Sequence, residues 1–333
     1  MSVAPVPQLD AVRISSLTAE DRLPLLVEPA AGGVDLEHWI SSHREFVETQ
    51  LDRFGGILFR GFDVESADEL ARLIEALAGK PLEYHERSSP RTEVGRNVYT
   101  STDYPERKHI NLHNENSYQD NWPLKIFFLC TTPAQRGGMT PLADCRRMLA
   151  RLSPETRQRF MTKKWMLVRN FNDGFGLSWQ TVFQTEDPVA VERYCRENQI
   201  QVEWKDGLRL RTTTTRSAIV RHPRTGEQIW FNHVMFFHVS SIEAGMRNAL
   251  LQELGQYDLP SNTFFGDGSF IEADVMDEIR EAYERETVMF PWQRGDLLVL
   301  DNMLVAHGRT SYEKPRQILV GMAQLVHRSQ VEL

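Results

Sequence analysis

The segment HINLHNENSYQDNW (residues 109–122) has few apolar side chains, yet it places His113 and Glu115 only two residues apart. On a β-strand, side chains at positions i and i+2 point to the same side of the sheet. An imidazole and a carboxylate held side by side are common metal ligands, so the segment predicts part of a metal site. An HxE pair also arises by chance, and the hypothesis therefore needs a third ligand from elsewhere in the chain.

The best candidate for the third ligand is His307, at the end of the apolar segment DLLVLDNMLVAH. A rigid sheet presents the side chains at its strand ends accurately, which suits ligand binding. Two histidines and one carboxylate, with open positions opposite, form the metal site of non-haem Fe(II) oxygenases. His113, Glu115 and His307 supply that set if the strands that carry them meet.

Composition and charge argue against several classes of protein. The chain has 333 residues, of which 41% are hydrophobic, and its net charge of −8 argues against general nucleic-acid binding. Its three cysteines are well separated and form no CxxC pair, which fits a reducing compartment and predicts no disulfide framework. The N-terminus lacks the features of a secretory signal, and no apolar run approaches the ~18 residues of a membrane span. We therefore expect a cytoplasmic protein with no membrane partner.

The hydrophobic pattern indicates strands near both ends of the chain and helices in between. GGILFRGF (55–62) and LKIFFLC (124–130) are typical of buried strands, and SADELARLIEALAGK (66–80) is typical of an amphipathic helix that begins at Ser66. A helix is expected from about Met148. Further patterns predict helices at 187–198, 241–256 and 271–286, and strands in LRLRTTTTR, EQIWFNHVMFFH, 296–309 and 316–328. This order favours a β-rich α+β protein, with an antiparallel sandwich and a helical insert.

The sequence resembles the iron(II)/2-oxoglutarate oxygenases of the taurine dioxygenase and clavaminate-synthase-like superfamily, and within it the syringomycin-cluster type of amino-acid hydroxylase. The segments that carry the resemblance are RSSPRTEVGRNVYTSTDYP, INLHNENSYQDNWPLKIFFLC, GGMTPLADCR, WFNHVMFFH, GDLLVLDNMLVAHGR and PRQILVGMA. It implies a double-stranded β-helix (jelly-roll) core with flanking helices, in a single oxygenase domain at 1–333. The core strands would lie at about 55–150 and 290–328, and the insert at about 151–290.

The resemblance also implies roles for particular residues. Fe(II) would be bound by His113, Glu115 and His307, with 2-oxoglutarate and O₂ as cosubstrates. Thr140 and Arg316 match the family residues that hold 2-oxoglutarate, and a bidentate Arg–carboxylate pair suits that ligand. Arg309, beside His307, is the rival anchor for the far carboxylate of 2-oxoglutarate.

The implied reaction is hydroxylation of an amino acid, free or tethered to a carrier protein, in a nonribosomal peptide or related natural-product pathway. Desaturation and epoxidation use the same iron site and stay open. Glu115 argues against a halogenase, in which a small residue replaces the carboxylate ligand. A zinc-dependent hydrolase or isomerase on the same jelly roll is the alternative that needs neither O₂ nor Arg316.

Substrate-binding residues are expected near the HxE motif and in the insert. The motif contributes polar neighbours, and arginines could meet an anionic substrate or an acidic carrier protein, although a solvated basic edge is the simpler explanation for each arginine. The candidates are Asn111, Asn116, Ser117, Tyr118, Arg91 and Arg211. Phe231, Phe236, His233 and Trp179 are expected in the core or in the pocket wall.

Overall fold

The structure is a computed structural model that describes residues 11–17, 23–83, 92–101, 104–171 and 176–332. The strands in these residues are β1 (Val12–Ser16), β2 (Leu25–Pro29), β3 (Gly56–Phe59), β4 (Glu93–Gly95), β5 (Val98–Thr100), β6 (Ile110–His113), β7 (Asn121–Thr132), β8 (Arg136–Gly137), β9 (Leu142–Asp144), β10 (Trp165–Phe171), β11 (Gln201–Lys205), β12 (Arg209–Arg216), β13 (Ile219–Arg221), β14 (Gln228–Trp230), β15 (Ser261–Phe265), β16 (Leu297–Asp301), β17 (Val305–Arg309), β18 (Tyr312–Glu313) and β19 (Gln317–His327). The α-helices are α1 (Leu36–Ser42), α2 (Arg44–Phe54), α3 (Ala67–Ala78), α4 (Cys145–Arg151), α5 (Pro154–Lys163), α6 (Trp179–Phe183), α7 (Pro188–Glu197), α8 (Val234–Phe237), α9 (Ala244–Glu253) and α10 (Ala273–Glu286).

The largest sheet has eight strands in the order β1-β2-β3-β16-β7-β19-β5-β4. It is mixed, because β2 and β3 run parallel while the other neighbours are antiparallel. Its central strand β7 is buried on both faces: Ile126 and Phe128 enter one core cluster, and Phe127 and Leu129 enter the other. A strand covered on both faces has a continuous apolar sequence, which explains the run LKIFFLC.

Helices α1, α2 and α3 cover one face of this sheet through the second core cluster. The predicted helix at 66–80 is confirmed as α3. Ser66 and Glu69 form a reciprocal capping box at its start, and Gly79 follows its last residue with a φ of 84°. Its buried residues Leu70, Leu73, Ile74 and Leu77 lie on one face, as their spacing indicates.

The other face of the main sheet packs against a three-stranded antiparallel sheet, β6-β17-β9, through the largest core cluster. The expected continuous strand at 296–309 is wrong in its extent, because it is two strands that belong to different sheets. The chain turns after Asp301, whose Oδ1 accepts hydrogen bonds from the backbone N–H groups of Met303 and Leu304 at 2.9 and 3.0 Å. This turn moves His307 from the main sheet to the smaller one.

The region expected to be a helical insert also contains a four-stranded sheet, β11-β12-β10-β15. Strand β12 and helices α7, α9 and α10 confirm the predicted elements there, with α9 beginning at Ala244. The expected strand EQIWFNHVMFFH is wrong after Trp230: the Asn232 side chain accepts from the Val234 N–H at 2.9 Å, and the short helix α8 follows. Helix α4 begins at Cys145, before the expected Met148, because Asp144 caps it.

The structure is thus a β-rich α+β fold, as the sequence predicted at that level, but its largest sheet is mixed and not purely antiparallel, because β2 and β3 are parallel. The division into core strands and insert within a single domain stays a prediction. Among the described helices, none has the length and hydropathy that would let it cross a membrane.

Candidate active site

His113, Glu115 and His307 meet on the three-stranded sheet. His113 and His307 are direct partners in the antiparallel pair of β6 and β17. The Nε2 atoms of the two histidines lie 4.0 and 3.8 Å from Glu115 Oε2, and one ligand atom from each residue lies within 4.8 Å of the others. Glu115 and His307 are 2% and 6% exposed. In the described residues this is the one group of three or more His, Cys, Asp or Glu residues with such a spacing.

The local geometry differs from the expected strand pair. Strand β6 ends at His113, so Glu115 does not reach the site through strand alternation. Residues 114–119 turn back, with hydrogen bonds from Ser117 N–H to Asn114 O (3.2 Å) and from Gln119 N–H to Asn116 O (2.9 Å). His307 lies within β17 and not at its end. The turn and the strand register together bring the three side chains to one point.

Hydrogen bonds to backbone and side-chain amide groups orient both ligands of the HxE motif, His113 and Glu115. His113 Nδ1 donates to the Asn111 carbonyl at 2.8 Å, so in the neutral imidazole Nε2 is the nitrogen with a free lone pair, on the side that faces Glu115. The side-chain amide of Asn302 makes two hydrogen bonds with the backbone of Glu115. Its Oδ1 accepts from Glu115 N–H at 2.7 Å, and its Nδ2 donates to Glu115 O at 3.0 Å. Asn302 is fully buried and follows the turn residue Asp301. These contacts orient two of the three ligands before any ion binds.

The donor set fits a divalent transition metal such as Fe(II). Imidazole nitrogen and carboxylate oxygen are suitable ligands, and three protein donors leave positions for other ligands. An ion at about 2.0–2.2 Å from each donor could span the two nitrogen–oxygen separations. The ring centroids of His113 and His307 lie 4.6 Å apart, and that of Phe128 from the main sheet lies 5.2 Å from His307. The site is therefore built into the contact between the two sheets.

Thr140 is placed beside the triad by the strand that follows it. Gly308 N–H donates to Pro141 O at 3.0 Å, and Leu142 is the register partner of His307. The Thr140 side chain is buried, and its Oγ1 accepts from Trp292 Nε1–H at 3.1 Å. Because the indole can only donate, the threonine hydroxyl proton remains for another acceptor, and a carboxylate oxygen is one that fits.

Arg316 lies at the same edge of the site. Its Nε donates to Gly138 O at 3.0 Å, and its guanidinium carbon lies 5.3 Å from the centre of the Tyr312 ring. Burial, followed by the nearby charge of Arg309, lowers the pKa of Arg316 to about 10. It thus stays protonated at neutral pH. Within the described ranges no carboxylate lies at ion-pair distance from it.

Arg309 has a different environment. Its terminal nitrogens donate to the carbonyl oxygens of Tyr104 (3.0 Å), Pro105 (2.6 Å) and Lys108 (2.9 Å). The side chain is 4% exposed, and burial lowers its pKa below the ordinary value. Both terminal nitrogens therefore hold the segment 104–108 against β17, which makes Arg309 less suitable than Arg316 for binding a carboxylate.

Three of the polar candidates near the motif are buried. Asn116 has a φ of 58° and a buried Oδ1 that accepts no hydrogen bond from the described residues. Ser117 Oγ lies 2.6 Å from His233 Nδ1, and Gln119 Nε2 donates to the Tyr118 hydroxyl at 3.3 Å. Asn111 is instead exposed, and its carbonyl is the group that contacts His113. Their roles toward a substrate stay predictions.

The candidate arginines are in less favourable positions. Arg91 lies outside the described residues. Arg211 is paired with Asp258 at 2.5 Å and with Glu203 at 3.5 Å, and it also donates to Asn170 at 3.0 Å. Its charge is therefore already balanced, which weakens the hypothesis that it meets an anionic substrate.

Aromatic side chains, of which the sequence predicted only some, form a wall next to His113. The ring of His233 lies 5.6 Å from the His113 ring, and Phe236 lies 5.0 Å from it. Burial, then the charges of His113 and Arg169, lowers the pKa of His233 well below its usual value. Tyr118 and Phe237 complete the wall with ring contacts to His233 of 5.1 and 5.3 Å. The sequence signal was the aromatic run after Asn232, which was assigned to a strand.

Two other aromatic candidates lie in the core. Phe231 is fully buried against Trp122, with ring centroids 4.8 Å apart. Trp179 is 1% exposed and packs edge-on to Trp204 at 5.4 Å, in a cluster of its own.

A family model described as "Taurine catabolism dioxygenase TauD, TfdA family" matches residues 20–323. The chain belongs to this family. The resemblance noted from the sequence is thereby confirmed, and the protein is a non-haem dioxygenase that uses Fe(II) and 2-oxoglutarate. The donor set fits Fe(II), and Arg316, which has no carboxylate at ion-pair distance among the described residues, fits 2-oxoglutarate.

Individual relatives agree with this assignment. The chain is 39% identical over 307 residues to the dapdiamide synthesis protein DdaC of Enterobacter agglomerans, which covers 92% of this chain and 93% of that protein. It is 27% identical over 295 residues to a clavaminate synthase-like protein of Arabidopsis thaliana, covering 86% of each. The crystal structure of PvcB from Pseudomonas aeruginosa shares the fold, with a TM-score of 0.59, 14% identity, and coverage of 100% of this chain and 97% of that one.

Proposed function

We propose that this dioxygenase hydroxylates an amino acid, free or tethered to a carrier protein, in a natural-product pathway. The observation that carries the proposal is the His113–Glu115–His307 cluster, in which the carboxylate is present and buried. Membership of a dioxygenase family and the 39% identity to a dapdiamide synthesis protein support the pathway. The intact carboxylate disfavours halogenation, because it fills the ligand position that a halide would need.

The proposal includes a double-stranded β-helix core. The main sheet and the β6-β17-β9 sheet would be its two walls. Their common core cluster, in which Leu298 and Leu300 of one sheet meet Val305 and Ala306 of the other, supports this description.

His113, Glu115 and His307 would bind Fe(II) at the contact between these walls. Bound iron supplies oxidation of a substrate C–H bond by O₂, with 2-oxoglutarate converted to succinate and CO₂. The protein's own part is orientation. Asn111 and Asn302 hold two ligands through their hydrogen bonds, and the rings of His233 and Phe236 shield the His113 side from water.

Arg316 would bind the far carboxylate of 2-oxoglutarate, and the Thr140 hydroxyl would donate a second hydrogen bond to the same ligand. The support is geometric. Gly138 contacts Arg316, Thr140 follows two residues later, and Leu142 is the register partner of His307. At about 3.3 Å per residue this short segment extends from the arginine to the triad. A planar guanidinium suits the two oxygens of a carboxylate.

Anaerobic spectroscopy tests the site. Metal-free protein receives Fe(II) and then 2-oxoglutarate, and we expect a weak visible charge-transfer band that fades when O₂ is admitted. Amino acids are then supplied free and loaded on a carrier protein, and hydroxylated product is compared with succinate. No band at saturating 2-oxoglutarate would contradict the role of the cluster. A zinc-dependent hydrolase would instead turn over without O₂.

A further inference from the structure

The side chain of Tyr312 contacts both arginines at the edge of the site. The centre of its ring lies 5.0 Å from the guanidinium carbon of Arg309 and 5.3 Å from that of Arg316. Tyr312 belongs to the short strand β18, where its register partner is Gly137 and its N–H donates to Glu106 O at 3.0 Å. The backbone of this residue is therefore fixed independently of its ring.

The two guanidiniums repel each other in a partly desolvated environment. Burial, and after it the charge of Arg309, lowers the pKa of Arg316. Neither arginine has a carboxylate at ion-pair distance in the described part of the chain. The Tyr312 ring lies within the ~6 Å at which the electron-rich face of an aromatic ring attracts a cation, and it therefore stabilises both charges.

The arginines differ in how firmly they are held. Arg309 is fixed by three carbonyl oxygens. For Arg316 the described residues offer one hydrogen bond, from Nε to Gly138 O, and this bond leaves both terminal amino groups for another acceptor. An added Cβ at Gly138 would lie 2.8 Å from Arg316 Cδ, so glycine is needed for this close approach. The hydrogen bond to Gly138 O thus leaves the terminal amino groups to be oriented by other neighbours, and the Tyr312 ring contacts the same guanidinium.

A groove of about 650 Å³ is lined by Tyr312 together with charged residues, namely Glu106, Arg107, Arg136, Glu313 and Lys314. Arg316 is not part of this lining. Tyr312 therefore lines a charged surface groove and also contacts the Arg316 guanidinium.

We propose that Tyr312 is a positioning residue for 2-oxoglutarate: its ring holds the Arg316 guanidinium in the orientation that binds the far carboxylate. The inference rests on the proposed function, in which Arg316 is the anchor. It assigns to Tyr312 no contact with the substrate and no role in binding iron.

The test measures the Kd of 2-oxoglutarate on the anaerobic Fe(II) protein from the charge-transfer band. Tyr312→Leu removes the ring and Tyr312→Phe keeps it. Tyr312→Met serves as a second ring-free variant, and Arg316→Met reports on the anchor itself. A cation–π contact of ordinary strength predicts that the ring-free variants raise the Kd by roughly 3- to 30-fold, whereas Tyr312→Phe leaves it near the wild-type value. Fe(II) affinity should be unchanged, because Tyr312 touches no proposed metal ligand, and any fall in the melting temperature without ligand should be small, because only the cation–π contacts of one ring are lost.

The possible results distinguish a failure of the Tyr312 proposal from a failure of Arg316 as the anchor for 2-oxoglutarate. If Arg316→Met weakens 2-oxoglutarate binding while the ring-free variants bind normally, Arg316 is the anchor and Tyr312 does not position it. If Arg316→Met also binds normally, the proposed anchor fails first. If the ring-free variants lose Fe(II) affinity or melting temperature in proportion to 2-oxoglutarate affinity, the role of Tyr312 is structural and the inference is overturned.

Discussion

The side-chain amide of Asn302 makes a pair of hydrogen bonds with the backbone N–H and C=O of Glu115, 187 residues away in the sequence. Its side-chain amide accepts from Glu115 N–H at 2.7 Å and donates to Glu115 O at 3.0 Å, and also donates to Pro123 O at 2.9 Å. The Asn114 side chain in turn donates to Asn302 O at 2.7 Å. The carboxylate ligand therefore lies on a turn whose backbone is held by the segment between β16 and β17.

We expect Asn302→Ala to lower the affinity for Fe(II) by about 10- to 100-fold, the usual effect of losing a group that orients a metal ligand. The variant leaves buried polar groups of Glu115 and Pro123 without their partner, which should also lower the free energy of unfolding by about 1–3 kcal/mol. Competitive titration with a chelator and urea denaturation measure the two effects.

Asn170→Ala is the matched control for Asn302→Ala. Asn170 is equally a buried amide, and its Nδ2 donates to the backbone oxygens of Tyr257 (2.9 Å) and Leu259 (2.7 Å) in the four-stranded sheet. It should lose stability but keep Fe(II) affinity. Equal losses of Fe(II) affinity in both variants would show that Asn302 acts through general stability.

Glu115→Gln tests the carboxylate with little change in shape. A neutral carboxamide is a weaker ligand, so Fe(II) affinity should fall by more than about 100-fold, beyond the usual effect of losing an outer group. 2-Oxoglutarate-dependent turnover should be lost with it, while the circular dichroism spectrum stays unchanged. Glu313→Gln, at an exposed carboxylate outside the cluster, is the control. Full turnover by metal-checked Glu115→Gln protein would remove Glu115 from the ligand set.

Arg316 and Arg309 are distinguished by their partners. Arg316→Met should raise the Kd of 2-oxoglutarate by about 30-fold or more, because it removes one partner of a buried charge pair, at a cost of about 2–5 kcal/mol. Arg309→Met should mainly destabilise the segment 104–108, which its three hydrogen bonds hold. Anaerobic titration and thermal denaturation of both variants measure this. The reverse pattern would make Arg309 the anchor.

The sequence predicted the three residues that meet in the structure, through their ligand types and the family resemblance, but the expected reason for the HxE spacing was wrong because Glu115 lies on a turn after β6. It could not predict the support around them. Asn302 lies in an apolar run that is typical of a continuous strand, and only the turn after Asp301 places it against Glu115. The preference for Arg316 over Arg309 came from the resemblance. The physical reason, the carbonyl groups around Arg309, involves residues about 200 positions away.

The wrong assignment of 231–238 has a similar cause. Aromatic residues favour strands, but this preference depends on what the side chains pack against. Here the Asn232 side chain caps Val234, and Phe236 and Phe237 pack around His233. A short helix therefore replaces a strand, and it supplies the wall of the site.

The lowered pKa of Glu286 implies a specific dependence of the free energy of unfolding on pH. This carboxylate of α10 is 2% exposed and accepts hydrogen bonds from Arg147 Nε at 2.6 Å and from Arg151 Nε, both on α4. Burial alone would raise the pKa of Glu286, but the two arginines lower it below the ordinary value. A depressed acid pKa stabilises the fold above the unfolded-state pKa of about 4.3, and this contribution is lost as the pH falls through the folded-state pKa.

Glu286→Gln should therefore lower the free energy of unfolding by about 1–3 kcal/mol at pH 7, because it removes charge-assisted hydrogen bonds from a buried acceptor while the part-exposed arginines can still be solvated. The difference from wild type should shrink as the pH is lowered below the unfolded-state pKa, because the wild-type carboxyl then becomes neutral too. Urea denaturation at several pH values measures both. Glu281→Gln, at an exposed position of the same helix, should show little change at any pH. A loss for Glu286→Gln that is the same at every pH would mean that shape, and not charge, joins α10 to α4.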